Sequence, residues 1–202
     1  MLTGEIRRQI DDIWNDFWTG GVSNPLSVIE QITYLLFIKR LDEMEALEEA
    51  KAAGTGKKME RRIFPPGKDD IGKAGGVPYS DMRWSRFKTY EPRKMFEIVD
   101  EHVFPFLRTL GGDDSTYAHH MKDARFTIPT PALLAKVVDM IDKGPMEDRD
   151  TKGDLYEYCF SSVGRTGNFS DIGTRSIWRN SCPWELTRRF HRGFGSSRRP
   201  LQ

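Results

Sequence analysis

The chain has 202 residues, 38 % of them apolar and 30 % charged, with 31 lysines and arginines set against 30 acids for a formal net charge of +1. That length holds one domain with a real core, or one domain plus an appendage, and leaves no room for a second full catalytic domain. No stretch approaches the roughly 18 to 20 uninterrupted apolar residues that span a bilayer, and the start, Met1-Leu2-Thr3-Gly4-Glu5, lacks the basic-then-apolar layout of a secretory signal, so a cytoplasmic protein without a membrane partner is expected.

Ile6, Ile10, Ile13 and Phe17 step by four, three and four, which puts them on one face of a helix while Arg7, Asp11 and Asp12 lie elsewhere on it. Gly20-Gly21 stops that helix. Ser23-Asn24-Pro25 restarts the chain, with Asn24 as a cap and Pro25 at the first helical position, where a missing N–H is harmless. A second helix is predicted from about Pro25 to Lys51. Its first half is apolar almost all round, from Leu26 to Leu41, as a central core helix is, and its second half, Asp42 to Lys51, is charged and leads to solvent.

Ala52 to Gly76 is rich in glycine, lysine and proline without a sustained period and reads as a long connection. Tyr79 to Phe87 is expected to be a short extended or turn segment packing an aromatic pair. From Pro92, the residues Met95, Phe96, Val99, Val103, Phe106 and Leu107 are spaced for one buried helix face, and Pro105 is expected to kink or end that helix early. Gly111-Gly112 closes the segment. Phe126-Thr127-Ile128-Pro129 leads to Thr130-Pro131, again a cap followed by proline, and Leu133, Leu134, Val137, Val138 and Ile141 mark a short amphipathic helix.

One more helix is predicted within Asp150 to Val163, where Leu155, Tyr156, Cys159, Phe160 and Val163 recur at helical steps. Beyond Gly164 the periodicity is lost. Between Asp171 and Gln202 there are seven arginines, no lysine and two acids, Asp171 and Glu185. The expected fold class is therefore mainly α, a helical bundle domain over residues 1–165 followed by an irregular Arg-rich tail over residues 166–202.

No constellation in the chain completes an enzyme. GxxxxGK[ST], HExxH and a nucleophile elbow are absent, and the glycines at 72, 75 and 76 do not make GxGxxG. Cys159 and Cys182 have neither CxxC spacing nor a common setting, so they read as inert thiols, and adjacent His119-His120 would aim apart rather than at one metal. Arg83, Trp84, Arg86 and Lys88 interleave basic and aromatic side chains, a pattern that grips phosphates or stacks bases. The same residues also read as a loop anchored on the core through Trp84 and Phe87, with the cations merely exposed.

Gln31-Ile32-Thr33-Tyr34-Leu35-Leu36-Phe37-Ile38-Lys39-Arg40-Leu41-Asp42 resembles the LLFLKRLSD-type stretch in the N-terminal helical domain of type I restriction-modification methylation (M) subunits. Ile10-Asp11-Asp12-Ile13-Trp14 is similar to the family's opening segment, and Trp84-Ser85 falls where such proteins often carry a similar pair. Asp150-Thr151-Lys152-Gly153-Asp154-Leu155-Tyr156-Glu157-Tyr158 is similar to the D-x-x-G-D-x-Y-E-x-L signature that joins this helical domain to the catalytic one. The resemblance covers about residues 5 to 165.

It implies a part of a site-specific adenine N6 DNA methyltransferase that uses S-adenosylmethionine and assembles with a specificity (S) subunit, a restriction (R) subunit and a second M subunit. The helical domain would help close the complex around DNA. Flipping an adenine from the duplex is what that chemistry requires. In the family a G-Q-F-x-T-P-R motif then lines the cofactor pocket. Gly167-Asn168-Phe169 begins in that manner, which makes Asn168 and Phe169 the cofactor-binding candidates, but Ser170-Asp171-Ile172-Gly173 follows. The glycine-rich acidic loop and the Asn-Pro-Pro motif are also missing.

The expectation is a chain cut off or frameshifted after about residue 169 and inactive alone. Two alternatives stand beside it: a natural basic tail that binds nucleic acid, and an unrelated non-catalytic helical module that binds nucleic acid or a partner.

Overall fold

The computed structural model describes residues 4–22, 24–59, 62–70, 76–110, 121 and 124–143. The helix expected within 150–163, His119-His120, both cysteines, Asn168-Phe169 and the tail from 166 lie outside the described residues. The chain is mainly α-helical, as its periodicities require, and no strand forms among the described residues.

Helix α1 (Gly4–Thr19) buries Ile10, Ile13 and Phe17, three positions that share one face at helical spacing. Its end is a Schellman closure. The Val22 N–H donates to the Phe17 carbonyl at 3.0 Å and the Gly21 N–H to the Trp18 carbonyl at 3.1 Å, while Gly21 takes a φ of +91° that a Cβ would resist. Gly20 is needed for another reason: a Cβ there would stand 2.8 Å from the ring of Pro129. The Gly-Gly pair thus ends one helix and lets a distant segment pass close by.

Helix α2 (Pro25–Thr55) is one turn longer than its sequence pattern predicts and, at 31 residues, is about 46 Å long at 1.5 Å per residue. Val28, Ile29, Ile32, Leu35, Leu36, Phe37, Ile38 and Leu41 are buried, so the apolar half is the core helix around which the others assemble. The charged half leaves the core, with Leu47 53 % exposed. The connection that follows is tied down at its base, where Lys68 and Pro78 form an antiparallel bridge and the Asp69 N–H donates to Val77 at 3.0 Å.

The segment expected to be extended or a turn is instead helical in two short pieces, a 3-10 turn at Tyr79–Met82 and α3 (Trp84–Phe87), with Arg83 extended between them at φ −67°, ψ 139°. It does pack the expected aromatic pair, since Trp84 and Phe87 are buried edge to face at 5.3 Å.

Pro105 does not end its helix. Helix α4 (Pro92–Ile98) runs through a π-helical segment, Val99–Val103, into α5 (Phe104–Thr109), with the proline in the first turn of α5. A proline lacks its own donor and crowds the carbonyl four residues back, and the wider π turn just before it absorbs both defects. The buried face therefore continues through Val99, Val103, Phe106 and Leu107.

Helix α6 (Pro131–Lys143) begins on Thr130, whose hydroxyl accepts the Leu133 N–H at 3.2 Å. It packs against α4, α1 and α2 and buries Leu133, Leu134, Val137, Val138, Met140 and Ile141. Tyr34, Phe104, Phe126 and Phe96 form a chain of ring contacts at 5.1–5.6 Å that joins α2, α5, the 124–130 segment and α4. No helix among the described residues is long and apolar enough to cross a membrane.

Candidate nucleic-acid interface

Polar side chains on the core helix determine how the basic segment sits. Gln31 is 1 % exposed, and its amide pairs with backbone as a peptide would: Nε2 donates to the Arg125 carbonyl at 2.8 Å, and Oε1 accepts the Thr127 N–H at 3.1 Å. A buried amide group must find such partners, and here the partner is the chain leading into α6. Two turns on, Lys39 donates to the carbonyl of Ile141 at 3.1 Å, placing a cation on the C-terminal turn of α6.

Asp42 follows on the same helix and is 5 % exposed. One of its oxygens accepts the Nε–H of Arg83 and the other the backbone N–H of Ser85 at 2.7 Å. Glu49, two turns further on, takes the Nη1 of Arg83 at 3.0 Å and 3.1 Å through its two oxygens. Arg83 is thus held between two carboxylates and also lies 6.0 Å over the ring of Phe64. Burial works against its charge, and the hydrogen bonds and charges of Asp42 and Glu49 outweigh that and keep the guanidinium more firmly protonated than usual.

Trp84 is 3 % exposed, and its indole Nε1–H donates to Asp142 of α6 at 3.0 Å. Lys88 donates to both oxygens of the same carboxylate at 2.9–3.0 Å. Burial alone would raise the Asp142 pKa. The indole and ammonium hydrogen bonds reverse that and hold it below the ordinary carboxylate value.

Of the four residues that the sequence singled out, Arg83, Trp84 and Lys88 are therefore brought together by the core, each through an acid on α2 or α6. The anchored-loop reading describes Trp84 and Phe87, but two of the cations are paired rather than merely exposed. Arg86 faces solvent with no ion pair among the described residues.

Lys88, Thr89 and Tyr90 form one lip of an open cleft of about 430 Å³, whose other wall is Ala135, Val138, Asp139 and Asp142 of α6 above Met95 of α4. Asp142 is held by Lys88 and Trp84, and Asp139 pairs with Lys143 at 2.8 Å. No group of three or more potential metal ligands occurs among the described residues.

Sequence reasoning missed the acids. Asp42, Glu45, Glu49 and Asp142 look like ordinary solvated charges, and the available signal was that Asp42 interrupts the apolar face of a core helix. It also missed the pair formed by His102 in the π segment and Asp69 in the connection, which is buried on both sides with Nδ1 2.7 Å from Oδ2.

Polar residues of the core helix and of α6 thus lock the basic segment into the helical unit. Residues 6–141 match the family described as the HsdM N-terminal domain, and the chain belongs to that family, the N-terminal domain of the type I restriction-modification M subunit. No curated protein and no solved structure matches the chain.

Proposed function

We propose that this helical domain serves an adenine N6-specific DNA methyltransferase by holding subunits together and closing the complex around DNA, and that it does not move the methyl group itself. The observation that carries this reading is the family match over residues 6–141, which spans α1 to α6. The proposed partners are duplex DNA, a specificity subunit, a restriction subunit and a second M subunit, and the proposed compartment is the cytoplasm.

The residues proposed to hold S-adenosylmethionine, which the family implies, lie outside the described residues. No step is derived through it. Asn168 and Phe169, the residues proposed for that role, remain the cofactor candidates.

Co-expression with the specificity subunit of a type I system tests the assembly role. A complex that survives size-exclusion chromatography is expected. Absence of any association, or methyl transfer to DNA by this chain alone, would overturn the reading.

A further inference from the structure

Between Arg83 and Lys94 the chain carries five cations and one acid, Glu91. Two of the cations, Arg83 and Lys88, are neutralised by Asp42, Glu49 and Asp142. That leaves Arg86, Arg93 and Lys94, all exposed and none in an ion pair among the described residues. Lys94 is nevertheless held in place. Its ammonium stands 4.0 Å from the centroid of the Tyr90 ring, and Asp81 acts electrostatically on the Tyr90 hydroxyl. Arg86 is close enough to act electrostatically on the same hydroxyl.

A cation resting on an aromatic face keeps its charge while losing some of its freedom. A lysine so restrained gives up less rotamer entropy when it meets an anion. The turn that carries this group is itself rigid, because Trp84 and Phe87 are buried and Asp42 fixes the Ser85 backbone.

We propose that Arg86 and Lys94, which flank Tyr90, together with Arg93 beside them in the chain, contact the phosphodiester backbone of duplex DNA. The inference rests on the DNA-embracing role proposed above and names the surface that performs it. An extended polyanion is the ligand such a group suits: the cations are exposed, make no ion pair among the described residues, and release counterions from the duplex on contact. They do not read bases, so sequence recognition would be left to another subunit.

The test uses the full 202-residue chain and a labelled duplex oligonucleotide, with the dissociation constant measured across a salt series. Wild-type protein should bind with marked salt dependence. The triple variant Arg86→Gln, Arg93→Gln, Lys94→Gln should bind at least about tenfold more weakly near 0.1 M salt, with the slope of log K against log salt reduced by about 2 to 3. Each single variant should lower the slope by about 1. The double variant Lys57→Gln, Lys58→Gln, which removes exposed charge after α2, should leave both quantities unchanged.

The singles also guard against misfolding of the triple, and unchanged helical circular dichroism and melting temperature check every variant. Binding by the wild type with the same slope in the triple variant would overturn the proposed surface while leaving the DNA-embracing role intact. No DNA binding by the wild type would overturn both.

Discussion

Asp42 holds Arg83 by its side chain and, through its second oxygen 2.7 Å from the Ser85 N–H, fixes the first turn of α3 as well. One carboxylate on the core helix thus sets both the charge state and the backbone of the basic segment. Asp42→Ala should destabilise the domain by about 3 kcal/mol, because it leaves the Ser85 N–H without its acceptor and the largely buried guanidinium with Glu49 as its one carboxylate partner. Asp42→Asn, which keeps an acceptor for Ser85, should be milder. Urea unfolding of both variants measures the difference, and equal stability of Asp42→Ala and wild type would refute the arrangement.

Trp84→Phe keeps an aromatic ring of smaller volume at the site and removes the Nε1–H that Asp142 accepts. A loss of about 1.5 to 3 kcal/mol is expected near neutral pH, the range for a hydrogen bond to a charged group. Because the Asp142 pKa is lowered in the folded state, its contribution is present above the unfolded carboxylate value and is lost as pH falls through the folded one. The gap between variant and wild type should therefore narrow in strong acid. Stability measured at pH values on both sides of the carboxylate range checks the sign.

Gln31→Leu should cost about 2 to 4 kcal/mol despite its similar size, since it leaves the Thr127 N–H and the Arg125 carbonyl unpaired in a part-buried setting. Hydrogen exchange at the Thr127 amide gives the local readout. Protection at the wild-type level would show that the amide has another partner.

Glu45 is 2 % exposed; Oε2 accepts the Ile63 N–H at 2.8 Å, while Oε1 is buried without a partner. Burial raises its pKa, and the Glu49 charge adds to this against the opposing pull of the Ile63 hydrogen bond, Arg83 and Arg62. A pKa raised by folding means that Glu45 favours the fold most at low pH and loses that contribution as pH rises through the folded value. Glu45→Gln keeps an acceptor for Ile63 and cannot ionise. It should be at least as stable as wild type at neutral pH, with the advantage shrinking toward acid. An advantage that instead grew as pH fell would contradict the assigned sign.

Helix existence was legible because it follows from local periodicity: Ile10, Ile13 and Phe17, or Leu133, Leu134, Val137, Val138 and Ile141, share a face at any tertiary arrangement. Gly20-Gly21 and Thr130-Pro131 likewise mark ends by conformational rules that act within a few residues. The family, too, was readable from the Gln31–Asp42 stretch. Pro105 shows the limit of local rules. Its conflict with a helix is real, but the π turn at Val99–Val103 resolves it, and the buried aromatic and aliphatic contacts of the continued face favour doing so.

The basic segment was legible as composition and not as arrangement. Sequence places Arg83, Trp84, Arg86 and Lys88 within six residues of one another, yet which of them face solvent depends on Asp42, Glu49 and Asp142, located 34 to 58 positions away from their partners. Electrostatic and hydrogen-bond energies fall off with distance in space, whereas sequence patterns report separation along the chain. The sequence alone therefore determined the long amphipathic helices and the family to which they belong. Tertiary structure decided which cations are neutralised inside the domain and which remain for a polyanion.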